Sequence, residues 1–170
     1  RRVLFRSITN IAQVSGLSIE ETLRRLREAG LDSIPGAGAE ILDDEIRQRI
    51  SPLKINTEQW LSLHRSAHKL GIPTTATMVF GFGESIEHRL SHLDRLRNLQ
   101  DETGGFAAMV VWPYQIGAQN PSILPKQQPL AEEYLRMQAL ARVCLVEELA
   151  ISRYCAPIVR FERVTLRLLW

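Results

Sequence analysis

The chain has 170 residues, 45% hydrophobic and 24% charged, with a formal net charge of +2. That is enough for one domain with a real core, and the interleaved charges, with no basic run, argue against nucleic acid as a partner. No apolar stretch approaches the roughly 20 residues of a membrane helix, and no secretory signal is visible. Two cysteines, Cys144 and Cys155, are too few for a disulfide scaffold, so a cytoplasmic setting without a membrane is expected.

Residues 1–7, RRVLFRS, are apolar and basic without a periodicity that joins them to the next segment. They read as a non-native start, with an ordinary N-terminal strand as the alternative, and carry no weight in the fold expectation. Ser18 and Glu21 fit a capping box for a helix with the stripe Ile19, Leu23, Leu26 and a stop at Gly30. Leu31 to Pro35 is a short strand candidate. A second helix spans about Asp43 to Ile50, with acids in its first turn. An Asn56 or Thr57 cap then opens a helix to Leu70, with Trp60, Leu63, Ala67 and Leu70 on one face. Pro73 to Phe80 is an apolar strand. The helix from Ser85 to about Glu102 turns Ile86, Leu90, Leu93 and Leu96 inward, and TGGF breaks it. FAAMVVWPYQ is another buried strand, ended by Pro113. The connection IGAQNPSILPKQQP carries three prolines, and LAEEYLRMQALARVCLVEEL is the last helix.

Apolar strands alternating with amphipathic helices predict an α/β fold with parallel strands. Continuous apolar strands fit a sheet buried on both faces. About three strands with flanking helices are visible, whereas a closed (β/α) barrel needs eight in about 250 residues. The expectation is a small open sheet or a piece of a TIM-type barrel.

In such folds ligands bind at the carboxyl ends of the strands. Three segments fall there: SIPGAGAE, GFGES and WPYQ. Glycines let a ligand approach the backbone, and Glu40 and Glu84 can accept from ribose hydroxyls or an amino group. Tight strand-to-helix turns explain each loop taken singly, while three at one sheet edge favour a shared site. Gly81 and Gly83 do not complete a G-x-G-x-x-G fingerprint. The pairs His64/His68 and His88/His92 have zinc-site spacing, yet Arg65 and Arg89 stand where a peptidase needs glutamate. These histidines read as surface or half-buried residues and no metal site is expected. Cys144 reads as a core thiol. No Ser-His-Asp set is visible.

The segments GLDSIPGAGAEIL, ISPLKINTEQWLSLHRSAHKLGIPTTATMVFGFGES and LRNLQDETGGF…VVWPYQ resemble the menaquinone and deazaflavin-cofactor branch of the radical S-adenosylmethionine (SAM) enzymes. The resemblance covers roughly residues 8–145. Within the branch, the GFGE turn and the Trp-Pro-Tyr-Gln strand end favour the futalosine-pathway cyclases, whereas the relatives more often carry GH-x-E at the turn. The resemblance implies a radical-SAM barrel whose 4Fe–4S cluster, held by C-x-x-x-C-x-x-C, reduces SAM to a 5′-deoxyadenosyl radical. That radical takes a ribose hydrogen from a nucleoside substrate, with an electron donor as the further partner. It also implies that Thr77, Val79, Gly81 and Glu84 line the adenine side of SAM. Ser33 and Glu40 fall where ribose or amino-group contacts arise, and Lys54 falls beside the methionine carboxylate. Trp112, Tyr114 and Gln115 would face substrate.

The chain departs from that pattern in two places. No C-x-x-x-C-x-x-C is present, and Cys144 and Cys155 have neither the place nor the spacing of cluster ligands. Residues 8–149 read as the middle and later part of a barrel, while 150–170 do not look like the family's continuation. The polypeptide as written is expected to lack catalysis and to bind SAM weakly at best.

Overall fold

The computed structural model describes residues 5–116, 125, 127 and 129–145. They form α1 (Phe5–Ser15), α2 (Ile19–Glu28), α3 (Asp44–Ile50), α4 (Thr57–Lys69), β1 (Thr74–Phe80), α5 (Ile86–Thr103), β2 (Phe106–Pro113) and α6 (Ala131–Leu145). The helix α1 starts inside the basic, apolar N-terminal stretch, packs on α2 and buries Ile8. Cys155, the tail 150–170 and most of the proline-bearing connection lie outside the described residues. No described helix is long and apolar enough to cross a membrane.

Polar caps start the helices. Ser18 Oγ accepts from Glu21 N at 3.1 Å, but the Glu21 carboxylate turns to Arg24 and Arg25 instead, so only half of the expected box forms. Reciprocal boxes close α4 through Asn56 and Gln59, and α5 through Ser85 and His88. There Asn56 N donates to Gln59 Oε1 and Ser85 N to His88 Nδ1, each at 3.0 Å, satisfying amides the first turn leaves orphaned.

β1 and β2 pair in parallel, joined by α5. The register sets Thr75 beside Ala108, Thr77 beside Val110 and Val79 beside Trp112, with one irregularity at Thr74/Thr75. The expected third strand is reduced to a parallel bridge between Ile34 and Thr74. Pro35 has no N–H to donate, and Gly36 comes so close that a Cβ there would sit 1.5 Å from Thr75 O. Side chains take over the ladder. Gly36 N donates to Thr75 Oγ1, and Thr77 Oγ1 donates to Gly36 O, both at 2.9 Å. Val79 N then donates to Glu40 O, also at 2.9 Å.

The sheet is not buried on both faces among the described residues. Thr74, Ala76, Met78 and Phe80 are buried, while Thr75, Thr77 and Val79 are half-exposed. In the same way Met109 and Val111 are buried and Trp112 is 44% exposed. Apolar sequence alone misleads here, because α4 and α5 pack on β1 and bury one set of alternating side chains. That side holds the core, including Trp60, Phe80, Leu93 and Leu96, each contributing about 1.5–3 kcal/mol.

Two expectations about α5 and the histidines are corrected. Ile86 and Leu90 are exposed, and the inward stripe starts one turn later at His92, Leu93, Leu96 and Leu99. His64, His68 and His92 are buried, and only His88 is half-exposed. His64 lies 3.8 Å from the Trp60 ring and 5.2 Å from Phe106. His68 fills the space that a Cβ on Gly105 would enter at 2.1 Å. Their polar atoms order themselves. Thr103 Oγ1 donates to Leu99 O at 2.7 Å, so it accepts from His68 Nδ1 at 2.6 Å. His68 Nε2 then accepts from Thr74 Oγ1, which accepts from His64 Nδ1, both at 2.8 Å. Both rings are neutral. Burial holds His64 well below the usual imidazole range and brings His68 down to about 4.

Candidate functional site at the carboxyl end of the parallel pair

At the end of β1 the chain turns through Gly81 and Gly83, both left-handed at φ 100° and 84°. The Glu84 carboxylate braces this turn. Its Oε1 accepts from Gly81 N and its Oε2 from Phe82 N, each at 2.7 Å. Arg89 Nε donates to Oε1 at 2.7 Å, and charge makes such bonds short and strong. Arg89 reaches on to Glu133 of α6 at 2.8 Å and lies 4.8 Å over the Phe80 ring. A Cβ on Gly81 would meet Pro129 Cγ at 2.3 Å. The turn opens into a cleft of about 870 Å³, lined by Gly81, Gly83, Arg89, Pro129, Leu130 and Glu133 among others.

The second polar centre is the loop beside β1. Glu40 has φ 45° and is the one non-glycine residue with positive φ among those described. Such backbone costs about 1–3 kcal/mol and persists only where its surroundings over-determine it. Here they do. Val79 holds Glu40 O, Arg47 holds Gly38 O and Ala39 O, and Arg95 holds Leu42 O. Leu42 N donates to His92 Nδ1 at 3.0 Å, and burial, with the Arg47 and Arg95 charges, brings His92 down to about 3. The Glu40 carboxylate forms an ion pair with Lys54 Nζ, both side chains partly exposed.

The structure thus gathers Glu40, Lys54, Thr77, Val79 and Trp112 around the half-exposed face of the sheet and its edge loop. Gly81, Glu84 and Tyr114 meet at the turn, where Tyr114 N donates to Phe80 O at 2.7 Å and the Tyr114 ring lies 4.9 Å from Phe82. Ser33 is elsewhere. It precedes the Ile34 bridge and is level with the amino end of β1, roughly 20 Å along the strand from its carboxyl end. Gln115 is exposed, its amide donating to Pro113 O at 3.4 Å.

Sequence reasoning missed Arg47, Arg89, Arg95 and His92, which hold both centres in place. The available signal was positional. Arg47 follows Ile46 and precedes Ile50 by one turn, so it borders an apolar stripe from which charges are normally absent.

No three His, Cys, Asp or Glu among the described residues could together hold a metal ion. Cys144 is a free thiol on α6, packed at the edge of the core. The donor set therefore does not fit an iron–sulfur cluster, which needs several thiolates.

Residues 3–96 match the sequence model of the family described as the Radical SAM superfamily. Among curated proteins, the chain is 47% identical over 138 residues to cyclic dehypoxanthine futalosine synthase of Halalkalibacterium halodurans, covering 81% of the chain and 37% of that protein. It is 41% identical over 146 residues to aminodeoxyfutalosine synthase of Thermus thermophilus, covering 86% and 37%. It is also 41% identical to the 5-amino-6-(D-ribitylamino)uracil--L-tyrosine 4-hydroxyphenyl transferase 2 of Methanosarcina mazei, covering 84% and 35%. The chain spans little more than a third of the length of these relatives.

Proposed function

This chain belongs to the radical SAM superfamily, and on that premise we propose that it is the SAM-binding and substrate-facing part of a futalosine-pathway cyclase. The whole enzyme would convert dehypoxanthine futalosine to its cyclic form in menaquinone biosynthesis, in the cytoplasm, with a small nucleoside as substrate and an electron donor as partner. The superfamily uses SAM and a 4Fe–4S cluster, and SAM bound beside a reduced cluster supplies a carbon radical.

The observation that carries the reading is the Glu40–Lys54 pair. SAM ends in an ammonium and a carboxylate, and a partly exposed carboxylate beside an ammonium complements both: Glu40 for the ammonium, Lys54 for the carboxylate. Thr77, Val79 and Gly81 provide the adjoining strand edge for the adenosine part. Trp112 offers an exposed ring for stacking beside Val79, and Tyr114 and Gln115 extend that wall toward substrate. Glu84 acts as the brace of the Gly81 turn, and Ser33 stays outside the site. Titration of S-adenosylhomocysteine into the chain tests this by calorimetry. Lys54→Met and Glu40→Gln are each expected to weaken binding at least about tenfold, and unchanged affinity in both removes the assignment.

A second reading, a cluster-less module that binds a nucleoside or a protein partner, starts from the lack of C-x-x-x-C-x-x-C in these residues. The DNA immediately upstream separates the two: an in-frame cysteine loop there supports the cyclase, and a promoter and start codon just before residue 8 the module. On reconstitution with iron and sulfide we expect no 4Fe–4S absorbance and no turnover from the polypeptide as written; a stable cluster spectrum with turnover of dehypoxanthine futalosine would overturn that. Preferred turnover of the aminodeoxyfutalosine precursor would instead reassign the member.

A further inference from the structure

Arg47, in the middle of α3, is 4% exposed. Its guanidinium spends its donors on backbone carbonyls of two separate loops. Nη1 donates to Ala39 O and, at 3.3 Å, to Gly38 O. Nε and Nη2 both donate to Ile55 O, at 3.1 and 2.6 Å. Ala39 is the residue before Glu40, and Ile55 is the residue after Lys54. One planar group therefore ties the peptide entering the carboxylate to the peptide leaving the ammonium.

A buried guanidinium whose hydrogen bonds all go to neutral carbonyls, with the Glu40 and Asp44 carboxylates near it but not bonded to it, is a costly way to fill space, since burying a cation without a contacting anion is penalised by several kcal/mol. An apolar side chain would fill the same volume without that penalty. What the guanidinium adds is geometry, because its donors form a rigid fork. The neighbouring residue shows that geometry being used: Glu40 sits at φ 45°, bracketed by Arg47 on the carbonyl before it and by Val79 N on its own.

We infer that Arg47 is a positioning residue that fixes the Glu40–Lys54 pair, and so sets the spacing at which the pair receives an ammonium and a carboxylate. The ligand half of this inference rests on the reading given under Proposed function; the positioning half does not. Lysine keeps the charge but offers a point donor instead of a fork, so R47K separates charge from geometry.

The test is a double-mutant cycle of E40Q and K54M, measured by denaturant unfolding of the full chain with Arg47 and again with R47K, with circular dichroism reporting the fold. With Arg47 the two substitutions are expected to be coupled by at least about threefold in the folding constant. With R47K the coupling factor falls to about one, and S-adenosylhomocysteine binding weakens about tenfold. Equal coupling in both backgrounds overturns the inference. If R47K does not fold, the unmodified chain still decides. Arg47 Nε–Hε should exchange slowly and show a scalar coupling to the Ile55 carbonyl; exchange as fast as that of exposed Arg24 overturns the inference. Coupling that depends on Arg47 in a chain that binds no S-adenosylhomocysteine supports the positioning role and removes the ligand reading alone.

Discussion

Glu40 and Glu84 look alike in the sequence, each a carboxylate following a glycine-bearing segment at a strand end, yet they are opposites in the fold. The Glu84 side chain is fully buried, and both its oxygens accept from backbone amides, with Arg89 behind them. Glu40 keeps some exposure, and its partner is the ammonium of Lys54, itself 30% exposed. A carboxylate that closes its own loop has no capacity left for a ligand. A carboxylate held by one exchangeable cation does. The difference lies in where the backbone amides point, which residue type alone does not encode.

Substitution should separate the two. Glu84→Ala is expected to have the largest effect, about 3–5 kcal/mol of stability, because it removes one member of a buried pair, leaving two amides unpaired and Arg89 with only the half-exposed Glu133; urea unfolding measures it. A loss below about 1 kcal/mol would mean that Glu84 is no brace.

Acid should destabilise the fold through the histidine behind the Glu40 loop. His92, whose Nδ1 accepts from Leu42 N in the Glu40 loop, has its pKa lowered from 6.5 to about 3. Between those values the unfolded chain takes a proton that the native chain refuses, so stability falls as pH drops below 6.5 and levels off near 3, by about 1.4 kcal/mol per pH unit for this group. His92→Asn keeps an acceptor without titrating and should remove that slope in a pH series of unfolding curves. His68 adds a similar slope between 6.5 and about 4.

The glycines sharpen the comparison further. Gly81→Ala meets both a left-handed φ and Pro129, and should cost about 1–3 kcal/mol. Gly38→Ala, in the Glu40 loop, has φ 88° but nothing within 4 Å of the new Cβ, so it should cost only about 1–2 kcal/mol, the conformational part. Thermal unfolding of both variants ranks them. The smallest expected change is Lys54→Met, within about 1 kcal/mol in stability because the pair is partly solvated, while its ligand affinity falls at least tenfold.

Much of the fold was legible because it rests on local chemistry. Asn56, Ser85 and Asp43 announce helix starts, and the apolar runs at 74–80 and 106–113 become the paired strands. What was not legible depends on partners distant in the chain. Ile34 fails to start a strand because Gly36 finds its ladder in the threonine hydroxyls of β1. Imidazoles read as surface or half-buried are buried because Thr74 and Thr103 satisfy them. At the carboxyl end of the sheet the glycine-bearing loops were visible as loops, whereas the different hydrogen bonding of Glu40 and Glu84, and the contacts of Arg47, required knowing what each loop packs against.

The irregularity at Thr74/Thr75 decides which ring this chain shows. Thr74 pairs with Phe106 and Thr75 with Ala108, so Ala107 is a supernumerary residue in β2. A single insertion inverts the parity of every side chain beyond it. With Ala107 in place, Met109 and Val111 point into the core and Trp112 stands beside Val79. Were Ala107 paired with Thr75 instead of bulged out of the ladder, every later residue would slip by one place, setting Trp112 beside Phe80 on the core side and Val111 beside Val79. The aromatic wall of the site is therefore specified by a spacing, and an exposed alanine sets it.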